Sequence, residues 1–205
     1  MSKTLYYVHD PMCSWCWAFR PVLNVLIEKL PKEINIIRLL GGLAPDSDIA
    51  MPNDIREYVL QNWRAIEEKV PDTKFNYDFW TQCKPRRSTY PACRAVIAAR
   101  KQNSKFDIAM TLAIQKAYYL QARNPSDYET LIELAEEIGA DKIKFSEDVV
   151  SQETDKILKE EIQQFQSLDL KSLPSLLFVN DKKKIEIKPD YLDAKVMLDK
   201  IELFE

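Results

Sequence analysis

Two cysteines three residues apart, Cys13 and Cys16, stand where a strand-like run gives way to a helix-like one, and no other feature limits the architecture as much. Ahead of them the run Leu5-Tyr6-Tyr7-Val8 reads as a buried strand, because a short β-branched and aromatic run stops at the turn-forming pair Asp10-Pro11. Behind them Trp17, Phe19, Val22, Leu23, Leu26, Ile27 and Leu30 recur at threes and fours, the spacing of one helical face. A thiol in the first turn of a helix meets unpaired amides and the positive end of the macrodipole, both of which favour a thiolate. The spacing therefore predicts Cys13 as the ionising, nucleophilic sulfur. Cys16, one turn further in and shielded by the helix and Trp17, is predicted to be the thiol that resolves a mixed disulfide.

The chain of 205 residues can bury a sizeable core, as one domain or one domain with an insertion. Its 3 glycines argue against a sandwich of many tight hairpins and against a phosphate-cradling loop. A formal net charge of -3 without a long basic stripe argues against nucleic acid and anionic membrane as partners. Met1-Ser2-Lys3-Thr4 leads directly into the first strand with no room for a signal core, and no apolar run approaches the roughly 18 residues that span a bilayer. These features predict a cytoplasmic protein. In that compartment a close cysteine pair is more often catalytic, redox-active or metal-binding than a structural staple.

Ile34 to Leu40 is a second strand-like run, ending at Gly41-Gly42; strand, helix, strand over this length predicts a right-handed crossover with parallel strands. About a hundred residues of helical pattern follow. Pro52 opens a helix with Ile55, Tyr58, Val59, Trp63 and Ile66 on one face, and Phe75 to Trp80 reads as an aromatic loop. Ser88-Thr89-Tyr90-Pro91 starts a helix whose Ala92, Ala95, Ala98 and Ala99 permit close packing; another runs from about Phe106 to Leu120. Ser126 with Glu129 forms a capping box for a helix ending at Gly139. From Glu153 a further helix leads to Leu173-Pro174, then Leu176 to Val179 and Ile185 to Ile187 flank a hairpin turn at Asn180 to Lys184. A last helix from about Asp190 keeps Leu192, Val196, Met197 and Ile201 on one side.

Taken in order, β-α-β, a helical insertion and α-β-β-α with Cys13-Ser14-Trp15-Cys16 after the first strand, the chain resembles the DsbA-like thioredoxin-fold oxidoreductases. Pro21, five residues after Cys16, and Leu173-Pro174 ahead of the third strand add to the resemblance. Asp10-Pro11-Met12-Cys13-Ser14-Trp15-Cys16-Trp17 with Gly41-Gly42-Leu43 is similar to a cytosolic, FrnE-like branch. The resemblance implies an α/β thioredoxin fold with an α-helical domain inserted after the second strand. The expected parts are residues 1–44 and 151–205 for the thioredoxin-like domain and 45–150 for the insertion. It further implies thiol-disulfide exchange with protein or peptide substrates, and a cis Pro174 facing the redox pair. Ser14-Trp15 matches neither the proline-histidine of periplasmic oxidants nor the glycine-proline of thioredoxin, so the redox potential does not carry over.

Other residues admit a bland and a sharper reading. His9 and Asp10 are candidates to tune the thiols or carry a proton to them, although a satisfied strand-end histidine is the plainer expectation. Trp15 is expected to rim the substrate cleft together with Leu173 and Pro174, Trp17 being either rim or core. Arg86, Arg87 and Ser88 form a charged loop that solvent would serve equally well, or a grip on the carboxylates of glutathione as a redox co-substrate. Cys83 and Cys93 complete the count for zinc, but their spacing fits no compact knuckle; ordinary thiols or a second redox pair remain. No metal or resident cofactor is expected. The rival chemistry is glutathione-dependent transfer or isomerisation, resembling kappa-class transferases and 2-hydroxychromene-2-carboxylate isomerases, which use a serine where Cys13 stands.

Overall fold

The computed structural model describes residues 3–204. Strand β1 (Lys3–His9), helix α1 (Ser14–Lys29) and strand β2 (Ile34–Leu40) form the opening unit, with β1 and β2 parallel and Leu5 opposite Ile36. Helices α2 (Asn53–Lys69), α3 (Phe79–Gln82), α4 (Tyr90–Gln102), α5 (Phe106–Leu120), α6 (Tyr128–Glu137) and α7 (Lys142–Asp148) follow. Helix α8 (Gln152–Ser167) returns the chain to the sheet, which β3 (Ser175–Asn180) and β4 (Lys183–Ile187) complete before α9 (Ala194–Phe204). The sheet order is β2-β1-β3-β4, with β3 antiparallel to both its neighbours. This is the α/β thioredoxin fold with helices inserted after the second strand, as the resemblance implied.

Alternation along β1 divides the core between the two faces of the sheet. Leu5 and Tyr7 join Phe19, Leu23 and Leu26 of α1 and Met197 and Ile201 of α9, while Val8 packs with Leu39, Leu170 and Leu177 beside Phe165 of α8. The inserted helices have their own core around α4, in which every residue from Pro91 to Ala99 is buried. Ala92, Ala95, Ala98 and Ala99 end at Cβ, so α5 and α8 can both approach closely. Arg94, the one charged side chain in that stretch, is matched by Asp46, Asp155 and the Tyr128 hydroxyl.

A third cluster is aromatic and lies against the first turns of α1. Trp63, fully buried, stacks on Phe75 at 4.7 Å and meets Tyr77, Phe79, Trp80, Tyr118 and Tyr119 edge-on or tilted. Trp15, Trp17 and Ala18 of α1 pack against this cluster. Among the described residues, no helix is long and apolar enough to cross a membrane.

Several local expectations are corrected. Ser126 does not cap α6: Asp127 holds the N-cap position without a side-chain bond, and the buried Ser126 hydroxyl donates to the Ser88 carbonyl at 2.7 Å. A tertiary partner has displaced the capping box. Helix α7, absent from the sequence expectation, follows Gly139 and is capped by Asp141, which accepts from the Lys144 amide. The aromatic loop contains the single turn α3. Tyr58, Leu192 and Val196 are 60%, 68% and 42% exposed rather than inward, because Trp63 and Ile66 on α2, and Ala194, Met197 and Ile201 on α9, occupy the buried faces. Asn180 and Lys184 belong to the strands, leaving Asp181-Lys182 as a two-residue turn with Asp181 at φ 52°.

Trp63 carries the aromatic cluster that backs α1. Truncation by Trp63→Ala should lower the unfolding free energy by about 3–5 kcal/mol, read from urea denaturation at unchanged slope, the usual cost of emptying a large buried aromatic site.

Candidate active site

Cys13 sits at the N-cap of α1 with extended backbone (φ -81°, ψ 116°), and the first turn of the helix contains no acidic residue. Its amide donates to the Asp10 carbonyl at 3.0 Å and its carbonyl accepts from Trp17, so the amides of the turn between them face outward from the helix end. The thiol is 6% exposed and lies 3.5 Å from the Leu173 carbonyl oxygen, across the cis Leu173-Pro174 bond that precedes β3. Cys16 is fully buried, and both cysteines are free thiols. Burial, reinforced by a hydrogen bond with Cys13 and by its charge, pushes the Cys16 thiol well above the usual range. One thiol is placed at a helix N-terminus and the other is held protonated behind it.

The loop carrying Cys13 is tied down by Asp10, which is fully buried. One carboxylate oxygen accepts the Met12 amide at 2.7 Å; the other accepts the Leu43 amide at 2.8 Å, the Thr89 hydroxyl at 2.6 Å and the Cys93 thiol at 3.5 Å. Burial still raises its pKa, these hydrogen bonds offsetting only part of the cost of desolvation. Burial and the Asp10 carboxylate likewise raise Cys93. Asp10 therefore positions the loop, and its charge disfavours a Cys16 thiolate.

His9 is placed differently from the tuning role considered for it. Its ring stacks on Tyr7 at 4.8 Å, and Nε2 accepts from the Arg38 guanidinium at 3.2 Å. Arg38 in turn pairs with Asp107 at 2.7 Å. Burial first and the Arg38 charge second hold the imidazole well below its usual pKa, so it stays neutral within this network.

A cavity of about 160 Å³ opens in front of Cys13. Trp15 and Leu173 line it, whereas Pro174 is buried and does not. Trp15 is fixed by an indole bond to Asn62 at 3.1 Å and an edge contact with Tyr191 at 5.1 Å. Trp17 faces another groove, beside Val70 and Pro71, and stacks on Tyr119 at 5.8 Å. Arg86, Arg87, Ser88 and Thr89 are also in the lining of the Cys13 cavity. Leu43, at the end of the Gly41-Gly42-Leu43 motif, also lines it, as do Met51, Asn62 and Tyr118, which come from distant segments and carry no local motif that would have marked them. A separate cavity of about 210 Å³ reaches Cys16 from the other side, between Tyr7, Arg20 and Arg38. Cys83 and Cys93 have separate partners, the Ala122 carbonyl at 2.9 Å and Asp10.

Residues 6–190 match the family profile described as thioredoxin. The ClpXP adapter protein SpxH of Bacillus subtilis is 27% identical over 177 residues, and that of Halalkalibacterium halodurans 25% over 181. Each alignment covers 86% of this chain and 58% of the relative, so the chain spans little more than half the length of these curated relatives. A solved structure from Nitrosomonas europaea superimposes with a TM-score of 0.83 at 21% identity, covering 100% of this chain and 98% of the other. The cytosolic disulfide reductase DsbM from Pseudomonas aeruginosa superimposes with a TM-score of 0.79 at 20% identity, covering 98% and 100%.

A histidine buried neutral in the folded state is protonated first in the unfolded chain, so the contribution of His9 to stability is lost as pH falls below about 6.5. Relative to His9→Gln, the protein should lose up to about 1.4 kcal/mol per pH unit in that window. The ring resonance of this single histidine should stay at its neutral position from pH 8 to below 6.5 while the fold persists.

Proposed function

The chain belongs to the thioredoxin family, and from that premise we propose that it is a thiol-disulfide oxidoreductase working through Cys13 and Cys16. Cys13 thiolate attacks a substrate disulfide and forms a mixed disulfide; Cys16 then attacks Cys13, releasing the second substrate thiol and leaving the protein oxidised. Run backwards, the same steps oxidise a substrate dithiol. The observation that carries this reading is the inequality of the two thiols. Cys13 lines a cavity at a helix N-terminus without acidic neighbours in its turn, and Cys16 is enclosed with its proton held on. A thiol that must attack only once its partner is engaged suits the second environment.

Substrates on this reading are thiol- or disulfide-containing proteins or peptides, seated between Trp15 and Leu173, with Pro174 fixing the backbone behind Leu173. Glutathione is assigned as a redox co-substrate. A cytosolic setting accords with the name of the Pseudomonas aeruginosa neighbour. The rival glutathione-dependent transfer or isomerisation needs no second thiol, and the pair of cysteines beside one another speaks against it. The name of the curated relatives favours a second reading, a protein-binding adapter, in which the same cleft holds a partner without turning over.

Cys16→Ala should accumulate mixed disulfides through Cys13, resolved by non-reducing electrophoresis and mass spectrometry, and Cys13→Ser should abolish both trapping and exchange with a model disulfide. Partner binding that survives both substitutions, with no disulfide exchanged by the unaltered protein, would favour the adapter reading.

A further inference from the structure

The lining of the Cys13 cavity carries two arginines and no acidic side chain. Arg86 is engaged: its guanidinium donates to the Ser126 carbonyl and to Asp127, each at 2.6 Å. Arg87 is half-buried, and among the described residues it makes no hydrogen bond or ion pair. Its charge reaches the buried Tyr118 hydroxyl on the same lining. Other features of the cavity have the same polarity. The N-caps of α1 and α4, Cys13 and Thr89, both line it, and neither helix has an acidic residue in its first turn. Trp63, also in the lining, has a buried indole N–H with no acceptor among the described residues. Asp10 is not in the lining, and its oxygens already accept from Met12, Leu43 and Thr89.

We infer that this cavity selects thiols and disulfides carrying a carboxylate close to the sulfur, and that Arg87 is the residue that binds it. The inference deepens the proposed exchange chemistry and rests on it. A partly desolvated guanidinium without a counter-charge gains most from a carboxylate that can accept from two of its N–H groups. A carboxylate bound there holds the attached sulfur in the cavity that Cys13 opens onto. Two sources offer this chemistry, glutathione and a protein segment with an acidic residue beside its cysteine. With glutathione disulfide the steps balance: Cys13 thiolate displaces one glutathione thiolate, which takes up a proton. Cys16 gives up its proton and displaces the second glutathione, leaving one intramolecular disulfide and two glutathione molecules.

The test measures stopped-flow oxidation of the reduced full chain by glutathione disulfide, by uncharged hydroxyethyl disulfide, and by paired disulfide peptides with Glu or Lys beside the cysteine. Arg87→Met should lower the ratio of the glutathione to the hydroxyethyl rate constant by about tenfold, the loss of one charge-assisted contact. Arg87→Lys should restore part of the ratio, and Arg87→Glu should shift the peptide preference from Glu to Lys. A change confined to the peptides assigns the site to protein segments, and one confined to glutathione assigns it to the tripeptide. A ratio unmoved by Arg87→Met and Arg87→Glu, or rates that fall equally for every disulfide, overturns the inference while leaving the exchange chemistry standing. Failure of the unaltered protein to react with any of the disulfides overturns the exchange chemistry itself.

Discussion

A carboxylate removed from water is costly, and Asp10 is removed entirely. Its place becomes intelligible from what it holds: the Met12 amide in the loop before α1, the Leu43 amide just past β2, and the Thr89 hydroxyl and Cys93 thiol at the start of α4. Three segments far apart in sequence meet at one pair of oxygens. Each hydrogen bond to a charged acceptor contributes about 1.5–3 kcal/mol against the desolvation, and burial still prevails in setting its pKa. The sheet and the inserted helices are thus registered against each other at the point where Cys13 leaves the loop and enters the helix.

That registration makes the two thiols unequal. Cys13 occupies the N-cap and has the Leu173 carbonyl across from it, while Cys16 lies one turn down in a fully enclosed position. The aromatic cluster around Trp63 supports the same turns from the side of α2 and α5, through Trp15, Trp17 and Ala18. Behind the strand end, His9, Arg38 and Asp107 form a neutralised network against Tyr7, so the charges at the back of the site are paired, although the buried His9 Nδ1 has no partner among the described residues. The front is polar and, among the described residues, incompletely paired, with Arg87 an unmatched charge in the cavity lining.

Much of the framework could be read from local pattern. The strand and helix around Cys13-Cys16, the parallel β1-β2 unit, the small-residue face of α4 and the closing hairpin each follow from apolar periodicity and turn residues within one short stretch. The expectations that failed were those in which a local rule competed with a tertiary contact. Ser126 had the sequence of a capping residue, but the Ser88 carbonyl took its hydroxyl. Leu192 and Val196 kept apolar spacing without a surface to cover.

The sequence by itself determined which residues are chemically able to act and in what order the elements run, because thiol spacing and hydrophobic period are properties of neighbours along the chain. Only the tertiary structure decided what surrounds them. It made His9 a neutral stacking partner, set Asp10 as a tie between segments, kept Pro174 out of the cavity lining, and left Arg87 in the lining of the Cys13 cavity with no counter-charge among the described residues. Burial, pKa and cavity lining depend on groups far apart along the chain, such as Cys13 and Leu173 at a separation of 160 positions, and no local pattern encodes that distance.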